Sequence, residues 1–280
     1  MKICKTISEL IEWRNESETR NIGFVPTMGA LHQGHLSLVE ESKISCEKTV
    51  VSIFVNELQF SPEEDFDQYP RTIESDLEAL KTLKVDMVFL PNAKEMYNEE
   101  FSVVVNELTI AQKLEGASRP GFFSGVTTVV SKLFNLVRPS HAFFGQKDIQ
   151  QLAIITKMVK DLNYNINVIG CETIREIGGL AMSSRNKYLS NREKEEASIL
   201  YQALKLGKKL LLDQASIHHI KTEMEKLIIK NKKIKIDYLS VAQLSTFEEL
   251  EGPVDHKKFK IVISGAVLIN DVRLIDNILI

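Results

Sequence analysis

The sequence of 280 residues has few cysteines and no long apolar run. Cys4, Cys46 and Cys171 are far apart and odd in number, so they give no disulfide framework and favour a reducing compartment. No stretch approaches the roughly 20 apolar residues of a membrane span. Residues 1–16 have the pattern of a short amphipathic helix rather than that of a signal peptide. We therefore expect a cytoplasmic protein without a membrane partner.

The sequence also lacks an excess of one charge. Its 35 basic and 38 acidic residues leave a net charge of −3, which provides no overall attraction to nucleic acid. We therefore expect no nucleic-acid partner, and any anionic ligand must be held by a local site.

Two common signatures of nucleotide binding are missing. No GxGxxG follows the first predicted strand. Gly116 and Gly121 have the spacing of a P-loop, but Phe122 and Phe123 stand where Lys and Ser or Thr are required. The sequence therefore rejects a P-loop kinase.

The first 170 or so residues do contain a regular alternation of apolar β-type runs with helical patterns. Helical periodicity follows Gly34 and recurs at 73–83, 125–137 and 149–162. The β-type runs lie at 22–25, 49–55, 86–90, 141–144 and 166–169. This alternation predicts the α/β class with a doubly wound parallel sheet, as in a Rossmann-like domain.

The pattern changes after Cys171. Residues 191–230 predict two helices separated near 213–216, and β-type runs follow at 236–241, 260–267 and 272–278. Helices followed by strands predict a smaller α+β domain. We therefore expect a first domain at 1–173 and a second at 174–280.

The clearest candidate for a ligand site is Val25-Pro26-Thr27-Met28-Gly29-Ala30-Leu31-His32-Gln33-Gly34-His35. It joins a predicted strand to a predicted helix, where open α/β sheets bind ligands and where a helix N-terminus favours phosphate. His32 and His35 share a face of the first helical turn and can donate hydrogen bonds to phosphoryl oxygens as charge develops. The alternatives are two surface histidines or half of a zinc site, but no Cys or His is suitably spaced to complete one.

Two later segments have the residue types of phosphate contacts. In the segment 143–151, Lys147 is a candidate contact to ATP phosphates, with Asp148 orienting it or capping the helix. In the segment 178–186, Ser183, Ser184 and Arg185 follow a glycine-rich loop and form a candidate clamp on the β- and γ-phosphates. The alternatives are an exposed Lys beside a capping Asp, and the start of the next helix.

A further set of polar residues follows the strand predicted at 49–55. Asn56 and Gln59 can hydrogen-bond hydroxyls and a carboxylate, and Phe60 can exclude water. Asp76, in the helix after Tyr69-Pro70-Arg71, is a candidate Mg²⁺ contact, because Mg²⁺ is usually bound through one or two carboxylates plus phosphates. A solvated helix carboxylate is the alternative for Asp76.

Together these segments resemble the pantothenate synthetase family, within the nucleotidylyltransferase superfamily that carries the HxGH signature. The resemblance extends from about residue 21 to the C-terminus; it is dense up to Leu189 and thin in the helices that follow. Further matches are Tyr69-Pro70-Arg71-Thr72, Arg119-Pro120-Gly121, Gly125-Val126, Lys132-Leu133-Phe134-Asn135 and Arg273-Leu274-Ile275-Asp276-Asn277.

The resemblance implies a two-step reaction that requires ATP and Mg²⁺. Pantoate attacks the α-phosphate of ATP to give enzyme-bound pantoyl adenylate and pyrophosphate, and β-alanine then attacks the acyl carbon to release pantothenate and AMP. The resemblance also implies that the smaller domain is a lid over the ATP site and that the protein is a homodimer.

The resemblance assigns a role to each candidate residue by its position. The catalytic roles fall on His35, His32 and Lys147. The ATP pocket comprises these three residues together with Met28, Gly145, Asp148, Ser183, Ser184 and Arg185. The substrate contacts fall on Pro26, Met28, Asn56, Gln59 and Gln151.

The sequence departs from the family at two positions. Glu57 replaces the proline that most members have after the asparagine, so Asn56 loses the rigidity that a fixed φ would give it. We expect Glu57 to point outward, away from an anionic substrate. Phe122 replaces a common histidine, so no role is carried over to it.

Two other functions stay open at this point. HxGH alone does not exclude an adenylyltransferase that keeps the nucleotide on its product, although Gln59, Gln151 and the Ser183-Ser184-Arg185 segment favour activation of an acid. A nucleotide-binding module without turnover is the second alternative, supported only by Glu57 and Phe122.

Overall fold

The structure is a computed structural model that describes residues 1–62, 64–252, 254–255 and 257–280. Two β-sheets organise the fold, one of six parallel strands and one of three antiparallel strands. The larger sheet contains β1 (Lys2–Cys4), β2 (Ile22–Thr27), β3 (Lys48–Ile53), β4 (Met87–Phe89), β5 (His141–Gly145) and β6 (Asn167–Cys171). The smaller contains β7 (Ile234–Gln243), β8 (Ile261–Ile269) and β9 (Val272–Leu279).

Helices connect and cover these strands. The helices that lie between β1 and β6 in the chain are α1 (Ile7–Glu16), α2 (Gln33–Ser45), α3 (Ile73–Thr82), α4 (Ala93–Met96), α5 (Glu115–Ser118), α6 (Phe122–Val137) and α7 (Ile149–Asp161). Those that follow β6 are α8 (Asn191–Ala197), α9 (Ile199–Leu212) and α10 (Ile217–Ile228). No helix in the described part of the chain is both long and apolar enough to cross a bilayer.

The larger sheet has the strand order β1-β4-β3-β2-β5-β6. The chain moves outward from β2 through β3 and β4 on one side, and continues through β5 and β6 on the other. The order therefore reverses between β2 and β5, and ligands of open α/β sheets bind beside the carboxyl ends of the strands at such a point. The predicted doubly wound parallel sheet is confirmed.

Both faces of the larger sheet are buried, which explains the continuous apolar runs of β2 and β3. Phe24 packs on one face against Phe134 of α6, with ring centroids 6.3 Å apart. Val25, the next residue, belongs to the apolar cluster on the other face, which includes Leu38 of α2. Adjacent residues thus bind helices on opposite sides of the sheet.

The smaller sheet is also packed on both faces, and one face closes over the larger domain. Ile263 of β8 lies in a cluster with α9 and α10, whereas its neighbour Val262 lies in a cluster with Phe123 of α6 and Ile154 of α7. The predicted α+β character of this region is confirmed. The domain boundary predicted at 173/174 falls just after β6 and stays a prediction.

Three local expectations were wrong. Residues 2–4 form edge strand β1, and α1 begins only after Thr6, whose side chain and that of Glu9 form a capping box. The region 191–230 forms three helices because the chain also breaks at Ser198, between α8 and α9. β3 ends at Ile53, two residues earlier than predicted.

Candidate active site

A cavity of about 720 Å³ lies beside the carboxyl ends of β2 and β5 and beneath the smaller sheet. Its wall combines Met28, which follows β2, Lys147, which follows β5, and Asn277 of β9. Both sheets therefore contribute residues to one partly open cavity, and the point of reversal in strand order supplies its floor.

The cavity wall brings together ten of the predicted site residues: Pro26, Met28, His35, Asn56, Gln59, Lys147, Asp148, Gln151, Ser183 and Arg185. The other four predicted residues, which are His32, Gly145, Ser184 and Asp76, are not part of the wall. Three of them, His32, Ser184 and Asp76, hold the segments that form it, as the contacts below show.

The two histidines begin α2 and fix each other's orientation. His32 is the N-cap residue, and its Nδ1 accepts a hydrogen bond from the Gly34 amide at 3.1 Å. Nδ1 of His35 accepts from the His32 amide at 3.4 Å, and the two ring centroids are 4.1 Å apart. Because Nδ1 is an acceptor in each ring, the proton of each neutral imidazole is on Nε2. Each ring therefore offers one N–H donor.

Both imidazoles are neutral at physiological pH. Burial, followed by the charge of Lys147, lowers the pKa of His32 to about 4. Burial, His32 and Lys147 lower the pKa of His35 to about 3. Desolvation disfavours the charged form of a base, which explains the direction of both shifts. The pair is suited to donating hydrogen bonds to an anion and not to carrying a positive charge.

The loop between β2 and α2 is held by two buried side chains. Ala30 has a left-handed backbone with φ of 50°. The carboxylate of Asp76 accepts hydrogen bonds from the amides of Ala30 and Leu31, both at 2.9 Å, and Ser184 Oγ donates to the Ala30 carbonyl at 3.1 Å. The Ala30 and Leu31 amides are thus satisfied within the protein, and of the two imidazoles His35 lines the cavity.

Asp76 therefore has a positioning role that sequence reasoning missed. Its side chain is 2% exposed, and Thr72 Oγ1 adds a third hydrogen bond at 3.1 Å. The metal contact predicted for Asp76 stays a prediction, and the use of both carboxylate oxygens by the loop argues against it.

The loop after β5 carries Lys147. Its Nζ lies 3.5 Å from Asp148 Oδ1. The backbone of this loop is bound from the smaller sheet: Nδ2 of Asn277 donates to the carbonyls of Gln146 and Lys147 at 2.9 and 2.8 Å. Asn277 was noticed in the sequence only as part of a matching segment, since nothing in the pattern indicates which loop its amide contacts.

Two arginines of the wall are paired with adjacent carboxylates. Arg185 Nε and Nη2 bind Asp65 at 3.0 and 2.7 Å. Arg119 binds Glu64 in the same two-pronged way and stacks on Phe122, with its guanidinium carbon 3.6 Å from the ring centroid. Residues 64 and 65 thus hold two cations against the cavity, and Phe122 supports one of them.

The side of the cavity beyond β3 is lined by amides. Asn56 is 1% exposed; its Oδ1 accepts from the Tyr97 hydroxyl at 2.7 Å, and its Nδ2 donates to Gln59 Oε1 at 3.1 Å. Nε2 of Gln59 lies 3.1 Å from Met28 Sδ. Asn56 therefore orients Gln59, and Tyr97 is a supporting residue that no sequence pattern indicates.

Glu57 and the two glutamines of α7 differ in how they face the cavity. The side chain of Glu57 is exposed, so the outward orientation that we expected is confirmed. Gln151 lines the cavity. Gln150 lines it too, but its amide donates hydrogen bonds away from the cavity, to the carbonyls of Ile110 and Lys113. One wall of the cavity thus suits a polyphosphate, and the other suits a small polar acid.

Comparison with known proteins gives one consistent result. The sequence profile described as Pantoate-beta-alanine ligase matches residues 2–279. A protein of Caldicellulosiruptor saccharolyticus named "Pantothenate synthetase" is 49% identical over 266 residues, which cover 95% of this chain and 93% of that protein.

Solved structures agree with this. The pantothenate synthetase of Thermus thermophilus superimposes with a TM-score of 0.92 at 40% identity, covering 99% of both chains. The pantoate-beta-alanine ligase of Francisella tularensis, described as complexed with beta-gamma ATP and beta-alanine, superimposes with a TM-score of 0.81 at 35% identity, covering 100% of this chain and 97% of that one.

Proposed function

This chain belongs to the pantoate–β-alanine ligase family, an ATP-dependent ligase family, and on that premise we propose how its cavity forms pantoyl adenylate and transfers the pantoyl group to β-alanine. The observation that carries the proposal is the shared cavity: Lys147, His35 and Arg185 line it together with Gln59 and Gln151. Cationic and N–H donors suit the triphosphate, and the amides suit the carboxylate and hydroxyls of pantoate.

The first step needs donors rather than a base. A carboxylate oxygen of pantoate attacks the α-phosphorus of ATP, and the bond to pyrophosphate breaks with its electron pair. Because the nucleophile is already an anion, no proton has to be removed from it. Neutral His32 and His35, with pKa values of about 4 and 3, are suited to this role. They and the Lys147 ammonium stabilise the charge that develops on the phosphoryl oxygens.

The second step releases AMP. The neutral amine of β-alanine attacks the acyl carbon, AMP leaves with the electron pair of the acyl–oxygen bond, and the amine proton passes to the departing AMP phosphate. The adenylate is prone to hydrolysis, so coverage of the cavity by residues of the smaller sheet would limit its contact with water. This is the role we propose for residues 174–280 as a lid, with residues 1–173 binding ATP and pantoate.

We propose that Mg²⁺ enters with ATP. Among the described residues no group of three or more His, Cys, Asp or Glu side chains is arranged to hold a metal. Mg²⁺ commonly relies on substrate phosphates plus one or two carboxylates, so a protein cage is not required. In the wall, Glu64, Asp65, Glu115 and Asp276 are each paired with an arginine, whereas Asp148 has only a 3.5 Å contact with Lys147. We propose Asp148, beside the phosphate-binding lysine, as the carboxylate that would contact the ion. When bound, the ion neutralises phosphate charge.

We also propose a cytoplasmic homodimer. Residues 102–107 have no assigned helix or strand, and Val103 and Val104 are 76% and 56% exposed. Leu108, just after them, is 67% exposed. A second copy of this chain is the partner we expect on this apolar surface. Light scattering should give twice the monomer mass, and Val104→Asp should give the monomer mass.

The experiment that tests the proposed function is ATP–pyrophosphate exchange with Mg²⁺ and without β-alanine. Exchange should appear only when pantoate is added, and free AMP should then accumulate when β-alanine is supplied. Exchange without pantoate would contradict activation of this acid. A product that keeps the nucleotide would instead identify an adenylyltransferase.

A further inference from the structure

Two adjacent residues of β9 contact both segments that form the phosphate side of the cavity. Asn277 donates both amide hydrogens to the Lys147 loop, one to each of two consecutive carbonyls, at 2.9 and 2.8 Å. Asp276 accepts hydrogen bonds from Arg175 Nη1 and Nη2 at 2.6 and 2.9 Å. The two side chains are 6% and 4% exposed, so these contacts are shielded from water. We refer to them as the Asp276–Asn277 pair.

Arg175 is itself firmly held at the start of the segment that leads to Arg185. Its Nη1 donates to the Gly179 carbonyl at 3.1 Å, and its backbone forms an antiparallel bridge with Ala181. Its guanidinium carbon lies 3.7 Å from the ring centroid of Tyr201. Ser183 follows two residues after this bridge. The Asp276–Asn277 pair therefore connects the Lys147 loop to the segment that carries Ser183 and Arg185.

We propose that the Asp276–Asn277 pair is a positioning element for the adenylate-forming step, which sets the separation between Lys147 and Arg185 that the triphosphate requires. The inference rests on the proposed function of this cavity. A lysine side chain is flexible, so the place its ammonium occupies depends on the backbone that carries it. Asn277 has two amide hydrogens and uses both on that backbone. A displacement of about 1 Å in such a group can cost about 10²-fold in rate.

A purely structural role for Asn277 makes a different prediction. A buried asparagine that only stabilises the fold would lower thermal stability and weaken every ligand together. A positioning residue acts through the group that it positions, so its effect disappears when that group is removed. A double-mutant cycle between Asn277 and Lys147 separates the two cases.

The cycle compares four forms of the full chain: the wild type, Asn277→Leu, Lys147→Ala and the double variant that carries both changes. The measured quantity is the dissociation constant of ATP with Mg²⁺, obtained by calorimetry without pantoate. Each single variant should bind ATP about tenfold more weakly, and the double variant should be within twofold of Lys147→Ala. Losses that multiply in the double variant would show that Asn277 acts independently of Lys147 and would overturn the proposal.

Asn270→Gly is the control, because the Asn270 amide donates to Glu193 Oε1 at 2.6 Å at the exposed end of the same sheet and glycine tolerates the φ of 51° at this position. It should bind ATP within twofold of the wild type. Asn277→Ala also lacks both donors and adds no charge to the cavity, so the same cycle is measured with it if the leucine variant does not fold. In either variant of Asn277, the kcat for ATP–pyrophosphate exchange should fall 10- to 100-fold while the KM for pantoate stays within twofold. A rise of the pantoate KM that accompanies the fall in kcat would contradict the proposal.

The two proposals fail separately. The ATP-binding cycle contains no pantoate, so multiplicative losses in it overturn the positioning role alone. Wild-type protein without pantoate-dependent exchange would overturn the proposed function, while the cycle would still report whether Asn277 positions Lys147 for ATP.

Discussion

Single residues in the cavity owe their chemistry to what their other atoms contact. His35 uses Nδ1 on the His32 amide, which leaves Nε2–H as its donor. Gln59 is oriented by Asn56, and Asn56 by the Tyr97 hydroxyl. In each case the supporting contact selects which donor or acceptor faces the ligand, so a substitution that preserves size can still abolish the interaction.

His35→Ala tests the proposed donor directly. Loss of one preorganised donor to a transition state typically lowers kcat by about 10²–10³. The fold should be retained, since His35 lies in the first turn of α2 and its side chain is not in the apolar core. Single-turnover formation of the adenylate measures the effect, and exposed Gln33→Ala on the same turn is the control. A rate within twofold of the wild type would remove His35 from the mechanism.

The lowered pKa values of the two histidines predict a pH dependence of stability. The unfolded chain protonates histidine near pH 6.5, whereas the folded site resists protonation down to a pKa of about 4 for His32 and about 3 for His35. Below pH 6.5 the unfolded state therefore binds more protons, and stability falls as pH decreases toward 4. At pH 5 each histidine contributes a loss of up to about 2 kcal/mol.

The measurement is the difference in thermal midpoint between pH 7 and pH 5. The difference in thermal midpoint should be smaller in His35→Asn than in the wild type, because the variant lacks the imidazole that the fold keeps neutral. The carboxylates that also titrate are common to both proteins, so their effect cancels in the comparison. An equal difference would show that the imidazole is not held neutral by the fold.

Sequence reasoning found residues that line the cavity better than the residues that hold them in place. Lys147 and His35 stand in recognisable strand–turn–helix segments, so their place at the sheet edge follows from the local pattern. Asp76 and Asn277 act 46 and 130 residues away from the loops they bind. No local periodicity indicates such partners, which depend on strand order and on the docking of the second sheet.

At the scale of elements, the turn at Glu57–Gln59 is pressed against α6. A Cβ added to Gly125 would lie 2.2 Å from the Leu58 carbonyl oxygen and 2.7 Å from the Gln59 amide nitrogen. This contact explains why glycine is required within a helix, where it is otherwise unfavourable. It also fixes the turn that presents Gln59 to the cavity.

Gly125→Ala should therefore displace the turn and raise the KM for pantoate at least tenfold, while the dissociation constant of ATP changes less than twofold. Steady-state kinetics and calorimetry measure the two quantities. Gly178→Ala, where the added Cβ meets nothing within 4 Å, is the control. An unchanged pantoate KM would show that the turn does not position substrate.

Glu57→Pro tests the departure from the family pattern. Asn56 already has an extended backbone with φ of −84° and ψ of 108°, which is the region favoured before proline. The change should stabilise the protein by about 0.4–1 kcal/mol through the unfolded state. The pantoate KM should stay the same or improve. Urea denaturation and kinetics are the measurements, and a severe loss of folded protein would show that Glu57 is structurally required.

The predicted elements were accurate where the pattern was long and wrong where it was short. The α6 and α7 helices have many buried apolar positions and were found within a few residues of their observed bounds. β1 has three residues, and only Cys4 is buried, so it has too little pattern to distinguish it from the start of α1. The break at Ser198 was missed because helical residues continue on both sides of it.

For the whole molecule, an ion pair joins the smaller sheet to the larger-sheet region beside the cavity. Arg273 of β9 binds Glu115 of α5 at 2.6 and 2.8 Å and Asp237 of β7 at 2.6 Å. Tyr238 of β7 also donates to Glu115, at 2.9 Å. Glu115 is 6% exposed, so its charge depends on these partners for compensation.

Arg273→Met should destabilise the protein by about 3 kcal/mol, because removing one partner leaves a buried charge uncompensated. Adding Glu115→Gln should recover part of the loss. Urea unfolding measures both variants. Arg192→Met, which breaks an exposed pair with Glu196, is the control and should cost less than about 1 kcal/mol. A loss no larger than that of the control would show that the domains do not depend on this pair.

The position of Asn277 in the chain has a consequence for synthesis of the enzyme. Asn277 is 130 residues downstream of Lys147, and β6 is complete about 100 residues before β9 begins. While the ribosome translates those residues, the parallel sheet can fold, but the Lys147 loop still lacks the amide that holds it. If the Asp276–Asn277 pair positions Lys147 as we propose, the nucleotide site is therefore completed only when β9 has emerged from the ribosome.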